Sequence, residues 1–109
     1  MKRRNTLQRG SVRVLVFREG GTWYAAGLEF NIVETGSTPH EAMFLLFEAL
    51  QGYLESAKKI KARPHILNQP VEAEYDEKWR DAIESRRKRD SVFFAGRVNV
   101  AKGLELVPA

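Results

Sequence analysis

The chain has 109 residues, a formal net charge of +4 and 43% hydrophobic residues, so it is expected to form a single domain with its own core. It contains no cysteine and two histidines, which excludes disulfides and thiolate metal sites and argues against a zinc cluster. No apolar run approaches the roughly 20 residues that span a membrane, and the basic start lacks the apolar stretch of a signal peptide. We therefore expect a cytoplasmic protein without a membrane partner.

Positive charge is concentrated in two parts of the sequence. Six basic residues precede the first acidic residue, Glu19. The second group is the block Arg86, Arg87, Lys88 and Arg89. This block is the candidate nucleic-acid-binding site, because clustered lysine and arginine contact phosphates. The favoured alternative is that it is the basic carboxyl end of a helix or a solvated surface segment.

Three short strands are predicted before the first helix. Residues 1–10 carry few apolar groups and are expected to form a flexible basic arm. Alternation of β-branched residues predicts a first strand from Val12, and Gly20 and Gly21 predict a tight hairpin. The second strand is expected over Thr22 to Leu28. Its small residues predict a helix packed close against the sheet.

A complete helix-start signal follows the third strand, Ile32 to Thr35. Thr38 is expected to cap the amide of Glu41, and Glu41 to reach back to the amide of Thr38. We take Gly36, Thr38 and Glu41 as the structural motif of this segment. The helix is expected from Pro39 to about Lys59, closing a βββα core over 11–60. Its apolar stripe comprises Ala42, Leu46, Ala49, Tyr53, Ala57 and Ile60.

A large aromatic residue, Phe44, lies among polar residues on the opposite face of this predicted helix. Phe44, Glu48 and Glu55 are the candidate partner-binding residues, because an exposed ring flanked by acids suits a basic protein partner. The alternative is that the segment Pro64 to Val71 of the same chain covers Phe44.

The segment from about Val12 to Lys58 resembles HicB-like antitoxins. The matching residues are Gly20, Gly21, Trp23, Gly36, Thr38, Glu41, Ala42 and the triplet Tyr53-Leu54-Glu55. The motif Pro-x-Leu-x-Gly, common in this family, is replaced here by Gly27-Leu28-Glu29-Phe30-Asn31. This departure from the family pattern is seen mainly in relatives that stand alone. The resemblance implies a reduced RNase H-like fold and an antitoxin that occludes a small basic HicA-like ribonuclease toxin.

The second half of the chain is predicted to extend this core. Residues 61–74 should form an extended connection, and 75–109 a helix plus strand extension. Asp76 is expected to cap the short second helix. A strand is expected over Val92 to Val100, paired within the chain or exchanged with another subunit, and Leu104 to Val107 could add a short edge.

The expected fold class is α+β: a three-stranded antiparallel sheet packed on one long helix, followed by a short second helix and a further strand. A chain of this size is also expected to gain stability as a homo-oligomer, a dimer or higher.

No enzyme activity, metal or cofactor is expected. The first strand carries no acid, so it cannot contribute to the clustered carboxylates of a metal nuclease. Ser37 and His40 are interpreted as neighbours at a helix start and not as a catalytic dyad.

The part of the chain after Lys61 is predicted to contain one helix. It therefore offers neither of two common DNA-binding motifs, the ribbon-helix-helix and the helix-turn-helix. The alternatives to an antitoxin are a stand-alone HicB-like domain that binds nucleic acid through basic segments, and a structural oligomerisation module.

Overall fold

The structure, a computed structural model, describes residues 4–6, 10–61, 63–84, 92–100 and 104–108. Within these ranges one antiparallel sheet comprises β1 (Ser11–Glu19), β2 (Thr22–Gly27), β3 (Ile32–Gly36), β4 (Val92–Asn99) and β5 (Glu105–Pro108). The helices are α1 (Pro39–Lys59) and α2 (Ala73–Glu84), and 3₁₀-helices occupy Leu28–Phe30 and Pro64–Leu67. The predicted α+β class is confirmed.

The sheet has five strands in the order β3-β2-β1-β4-β5, so the prediction of a three-stranded sheet is wrong. β4 pairs with β1, and β5 pairs with β4, all within this chain. Alternation identifies a strand but not its partner, and the second partner of β1 comes from the far end of the sequence. β1 is consequently the central strand.

Both faces of β1 are buried, each under a different helix. Val12, Val14 and Val16 belong to a core cluster with Leu46 and Leu50 of α1. The alternate residues Leu15 and Phe17 belong to a second cluster with Trp79 and Ala82 of α2. Because successive side chains of a strand point to opposite faces, α1 and α2 lie on opposite sides of the sheet.

The small residues of β2 bring α1 close to the sheet, as the sequence predicts. A Cβ atom built on Gly27 would lie 2.8 Å from Cδ2 of Leu50, and Ala25 is fully buried in the same cluster. A larger side chain at Gly27 would therefore have to displace the buried Leu50 side chain at the contact between strand and helix.

The start of α1 follows the predicted capping pattern with one difference. Oγ1 of Thr38 accepts from the Glu41 amide at 3.0 Å, which confirms the cap. The Glu41 carboxylate, however, accepts from the amide of Ser37 at 2.7 Å instead of that of Thr38. Gly36 is required here because a Cβ atom would lie 2.8 Å from the Ala42 nitrogen. Ile60, expected in the apolar stripe, is 73% exposed because α1 ends before it.

The connection to α2 and the amino-terminal segment are tied to each other. Leu67, in the segment expected to be extended, lies in a 3₁₀-helix and is fully buried. Its carbonyl accepts from the side-chain amide of Asn5, whose own Oδ1 accepts from the Ser11 amide. Asn5 is only 3% exposed and so differs from the flexible arm expected for residues 1–10.

Helix α2 begins earlier than the sequence indicated. It starts at Ala73, so Asp76 lies inside the first turn and is not its cap. The carboxylate of Asp76 instead accepts from Nη1 of Arg13 at 2.9 Å. The prediction of Asp76 as the capping residue is wrong, because a tertiary ion pair takes up its side chain.

Candidate protein-binding surface

The three predicted partner-binding residues lie on the outer face of α1. Phe44, Glu48 and Glu55 are all exposed, and Phe44 retains 62% of its accessible surface. The alternative that Pro64 to Val71 covers Phe44 is wrong. That segment packs on the other side of the helix, where the Tyr53 hydroxyl donates to the Ile66 carbonyl.

Phe44 is part of a larger group of rings, which we call the aromatic surface: the exposed His40, Phe44 and Phe93 and the half-buried Trp23. His40 precedes Phe44 by one helical turn, so both side chains lie on the same side of α1. His40 and Phe93 form an edge-to-face pair with ring centroids 5.1 Å apart, and Phe93 and Trp23 form another at 6.1 Å. Both distances fall within the favourable range for aromatic pairs.

A β-bulge explains why Phe93 joins this surface. The β1–β4 register shifts between Val16, which pairs with Phe94, and Phe17, which pairs with Val92. Phe93 therefore has no residue opposite it on β1 and departs from the alternation of its strand. Its side chain is 45% exposed. Strict alternation over Val92 to Val100 predicts that Phe93 lies on the same face as Ala95, so the sequence alone does not identify it as part of this surface.

Charges surround the aromatic surface on several elements. The guanidinium of Arg18 lies over the Trp23 ring, 5.5 Å from its centroid. At the first turn of α1 the backbone and side-chain hydrogen bonds from Ser37 hold the pKa of Glu41 below its ordinary value. Glu48 and Glu55 continue the acidic side along the helix. The surface thus combines rings, one stacked arginine and a row of carboxylates.

A second charged cluster, on the α2 side of the sheet, is mainly structural. Arg13 pairs with Glu29 at 2.6 Å and with Asp76 at 2.9 Å. Burial lowers the pKa of Arg13, but the two carboxylates outweigh burial and raise the pKa above its ordinary value. Arg13 and Arg97 also contact the Trp79 ring, at 5.6 and 5.3 Å from its centroid. This cluster fixes α2 to the central strands.

The remaining candidate residues do not form a catalytic site in the described part of the chain. The Ser37 hydroxyl donates to Glu41 while His40 contacts Phe93, so the two side chains make separate contacts. Among the described residues no group of three or more His, Cys, Asp or Glu side chains could hold a metal ion. The basic block of Arg86, Arg87, Lys88 and Arg89 lies outside the described residues.

Comparisons with known proteins leave the family open. No family model, curated protein or solved structure matches this chain. A search of the described helices also finds none long and apolar enough to cross a membrane.

Proposed function

We propose that this protein is a HicB-like antitoxin: a non-catalytic protein that neutralises a small basic HicA-like ribonuclease toxin by covering it. The observation that carries the proposal is the exposure of Phe44 within the aromatic surface. An aromatic ring with 62% of its surface exposed on a well-packed helix is a strong candidate for an interface anchor.

The composition of this surface suits a basic partner. Aromatic residues and arginine are the residue types most enriched at interface centres. Trp23, Phe93 and His40 form a chain of ring contacts with Arg18 at one end, and His40 lies one helical turn from Phe44. Glu48 and Glu55 on the same helix would attract a positively charged protein. The resemblance of residues 12–58 to HicB-like antitoxins names the class of that partner.

Binding to a toxin can be tested with single variants of the full chain. The partner to test is the product of any short basic open reading frame beside this gene, co-expressed and co-purified with the full chain; we expect such a toxin-sized neighbour. Phe44→Ala is expected to weaken the complex by about 2 kcal/mol or more, which is about 30-fold, while leaving the fold intact. Ile60→Ala is the matched control, because Ile60 is also a strongly exposed apolar residue and lies beyond the end of α1.

Two further variants test the contribution of charge to toxin binding and the alternative function, nucleic-acid binding. Glu48→Lys with Glu55→Lys is expected to slow association, most strongly at low salt. Neutralising Arg86, Arg87, Lys88 and Arg89 should leave toxin binding unchanged. If that variant instead loses binding to nucleic acid, with no toxin partner recovered, the protein is a phosphate binder and the antitoxin proposal fails.

Self-association is part of the same proposal. We expect a homo-oligomer, to be measured by light scattering on the purified full chain. If none of these variants changes any binding and the chain still forms a stable oligomer, a structural oligomerisation module becomes the better account.

A further inference from the structure

Strand β3 forms one edge of the sheet, and no described residue pairs with its outer side. Its sequence, Ile32 to Gly36, contains neither proline nor lysine, the residues that commonly protect edge strands from pairing. The opposite edge, β5, contains Pro108. β3 is therefore the less protected edge.

The register shows which backbone groups of β3 point outward. Gly20 and Gly21 both have positive φ and form the two-residue loop of a hairpin. In such a hairpin the flanking residues, Glu19 and Thr22, are a hydrogen-bonded pair. Hydrogen-bonded and non-hydrogen-bonded residue pairs alternate along two antiparallel strands. A residue whose N–H and C=O groups point to one neighbouring strand is therefore followed by a residue whose groups point to the opposite side.

Applied to β2, this alternation directs the backbone groups of Trp23, Ala25 and Gly27 toward β3. They meet Gly36, Glu34 and Ile32 respectively. The intervening residues Val33 and Thr35 therefore direct their N–H and C=O groups to the free edge. An incoming strand would find two backbone donors and two acceptors there.

A surface cavity lies beside the same edge, on the α2 side of the sheet. This cavity is shallow and open to solvent, with room for about one water molecule, and its lining includes Val33, Val71, Tyr75 and Glu72. Val33 pairs with Ala26, which belongs to the α2 core cluster, so its side chain faces this cavity. Val33 is 39% exposed. A strand paired with β3 would thus place an apolar side chain opposite Val33, against the cavity.

Two glutamates of the described residues lie near this edge. Glu72 lines the cavity, and Glu34 lies on the other face of β3 between the two outward-directed residues. A second copy of the chain paired about Glu34 would bring two glutamates directly opposite each other, which is unfavourable. A basic residue opposite Glu34 would be favourable for the same reason.

We propose that the outer edge of β3 binds an extended peptide of alternating basic and apolar residues, which adds a strand to the sheet and packs an apolar side chain against the exposed surface of Val33. Backbone pairing supplies affinity, and the contacts with Val33 and Glu34 supply selectivity. This site uses no residue of the aromatic surface and does not rest on the proposed function.

The test uses the full chain and a fluorescein-labelled five-residue peptide of alternating valine and lysine, followed by fluorescence anisotropy. The control peptide carries N-methyl groups on its valine amides and keeps the same charge. The unmodified peptide is expected to bind at least tenfold more tightly. Equal binding of the two peptides, or no binding of the unmodified peptide at millimolar concentration, would overturn the proposal.

Three variants of the protein test the same edge. Val33→Pro removes an outward-directed N–H that the sheet does not use and should abolish peptide binding, whereas Val33→Thr keeps that donor and should retain it. Glu34→Lys should weaken binding at least tenfold. Circular dichroism checks folding, and the N-methyl comparison decides the matter if Val33→Pro does not fold. If Val33→Pro instead converts an oligomer to a monomer and the peptide never binds, the occupant of this edge is a second copy and the proposal is wrong.

Discussion

One carboxylate, that of Glu29, holds both the backbone and the side chain of Arg13. The Arg13 amide donates to Oε1 of Glu29 at 2.7 Å, and Nε of Arg13 donates to Oε2 at 2.6 Å. The pairing of β1 with β2 begins only at Val14. Glu29 therefore takes the place of a strand partner for the first part of β1 and neutralises a buried guanidinium at the same time.

Removing this guanidinium should be costly. Arg13→Ala leaves Glu29, whose side chain is 20% exposed, without its partner, and we expect a loss of about 3 kcal/mol in the free energy of unfolding. Arg80→Ala is the matched control, because its pair with Asp76 is exposed, and the change should alter stability by less than about 0.5 kcal/mol. Urea denaturation measures both. Equal losses for the two variants would show that the Arg13 pair is no stronger than a surface pair.

Two glycines should respond oppositely to alanine. Gly27→Ala would place a methyl group 2.8 Å from Leu50 and is expected to destabilise the protein by about 1–3 kcal/mol. Gly52→Ala meets nothing within 4 Å on the exposed face of α1 and should stabilise it by about 0.5–1 kcal/mol. Thermal unfolding distinguishes the two. If Gly27→Ala is neutral, α1 does not pack against β2 as closely as described.

The cap of α1 should contribute measurable stability. Thr38→Ala removes the acceptor of the Glu41 amide and is expected to lower the free energy of unfolding by about 1 kcal/mol. Ser56→Ala, an exposed site within the same helix, should be neutral or slightly stabilising. Chemical denaturation of the two variants side by side is the measurement, and an unchanged midpoint for Thr38→Ala contradicts the capping role.

Glu41 should make stability depend on pH in the acid range. Its pKa is lowered from the ordinary value of 4.5 by hydrogen bonds from Ser37, so the folded state favours the ionised form. The stabilisation is therefore complete above about pH 4.5 and is lost as pH falls through the lowered folded pKa.

This dependence can be measured as the difference in melting temperature between the native chain and Glu41→Gln from pH 3 to 7. We expect the native chain to be more stable at pH 7 and the difference to shrink below about pH 4.5. Ser37→Ala, which keeps the backbone donor, should show a weaker version of the same trend. A difference that stays constant over the whole range would contradict this role of Glu41.

The purified protein is expected to leave RNA and DNA intact in the presence of magnesium or manganese. β1 carries only one carboxylate, Glu19 at its end, and nuclease metal ions need carboxylates clustered on neighbouring elements. Gel assays with both metals measure this. Cleavage that disappears on a single change such as Glu29→Gln would show that the protein is an enzyme.

Local signals in the sequence were sufficient for the elements of the first half. Alternating valines, the Gly20-Gly21 turn and the Thr38 cap each act within a few residues, so β1, β2, β3 and α1 could be predicted from spacing alone. The outward position of Phe44 followed from helical periodicity for the same reason.

Tertiary structure decided the features that depend on distant residues. The pairing of β4 with β1 joins segments far apart in sequence, and hydrophobic alternation carries no information on which strands meet. The bulge that exposes Phe93 arises from the fit between these two strands, so the aromatic surface was only partly predictable. By local rules Asp76 is suited to cap a helix. The buried guanidinium of Arg13, however, needs a carboxylate partner. Burying this charge unpaired would cost more free energy than a helix cap would contribute. The sequence by itself determined the local elements, whereas long-range pairing and charge burial decided how they assemble.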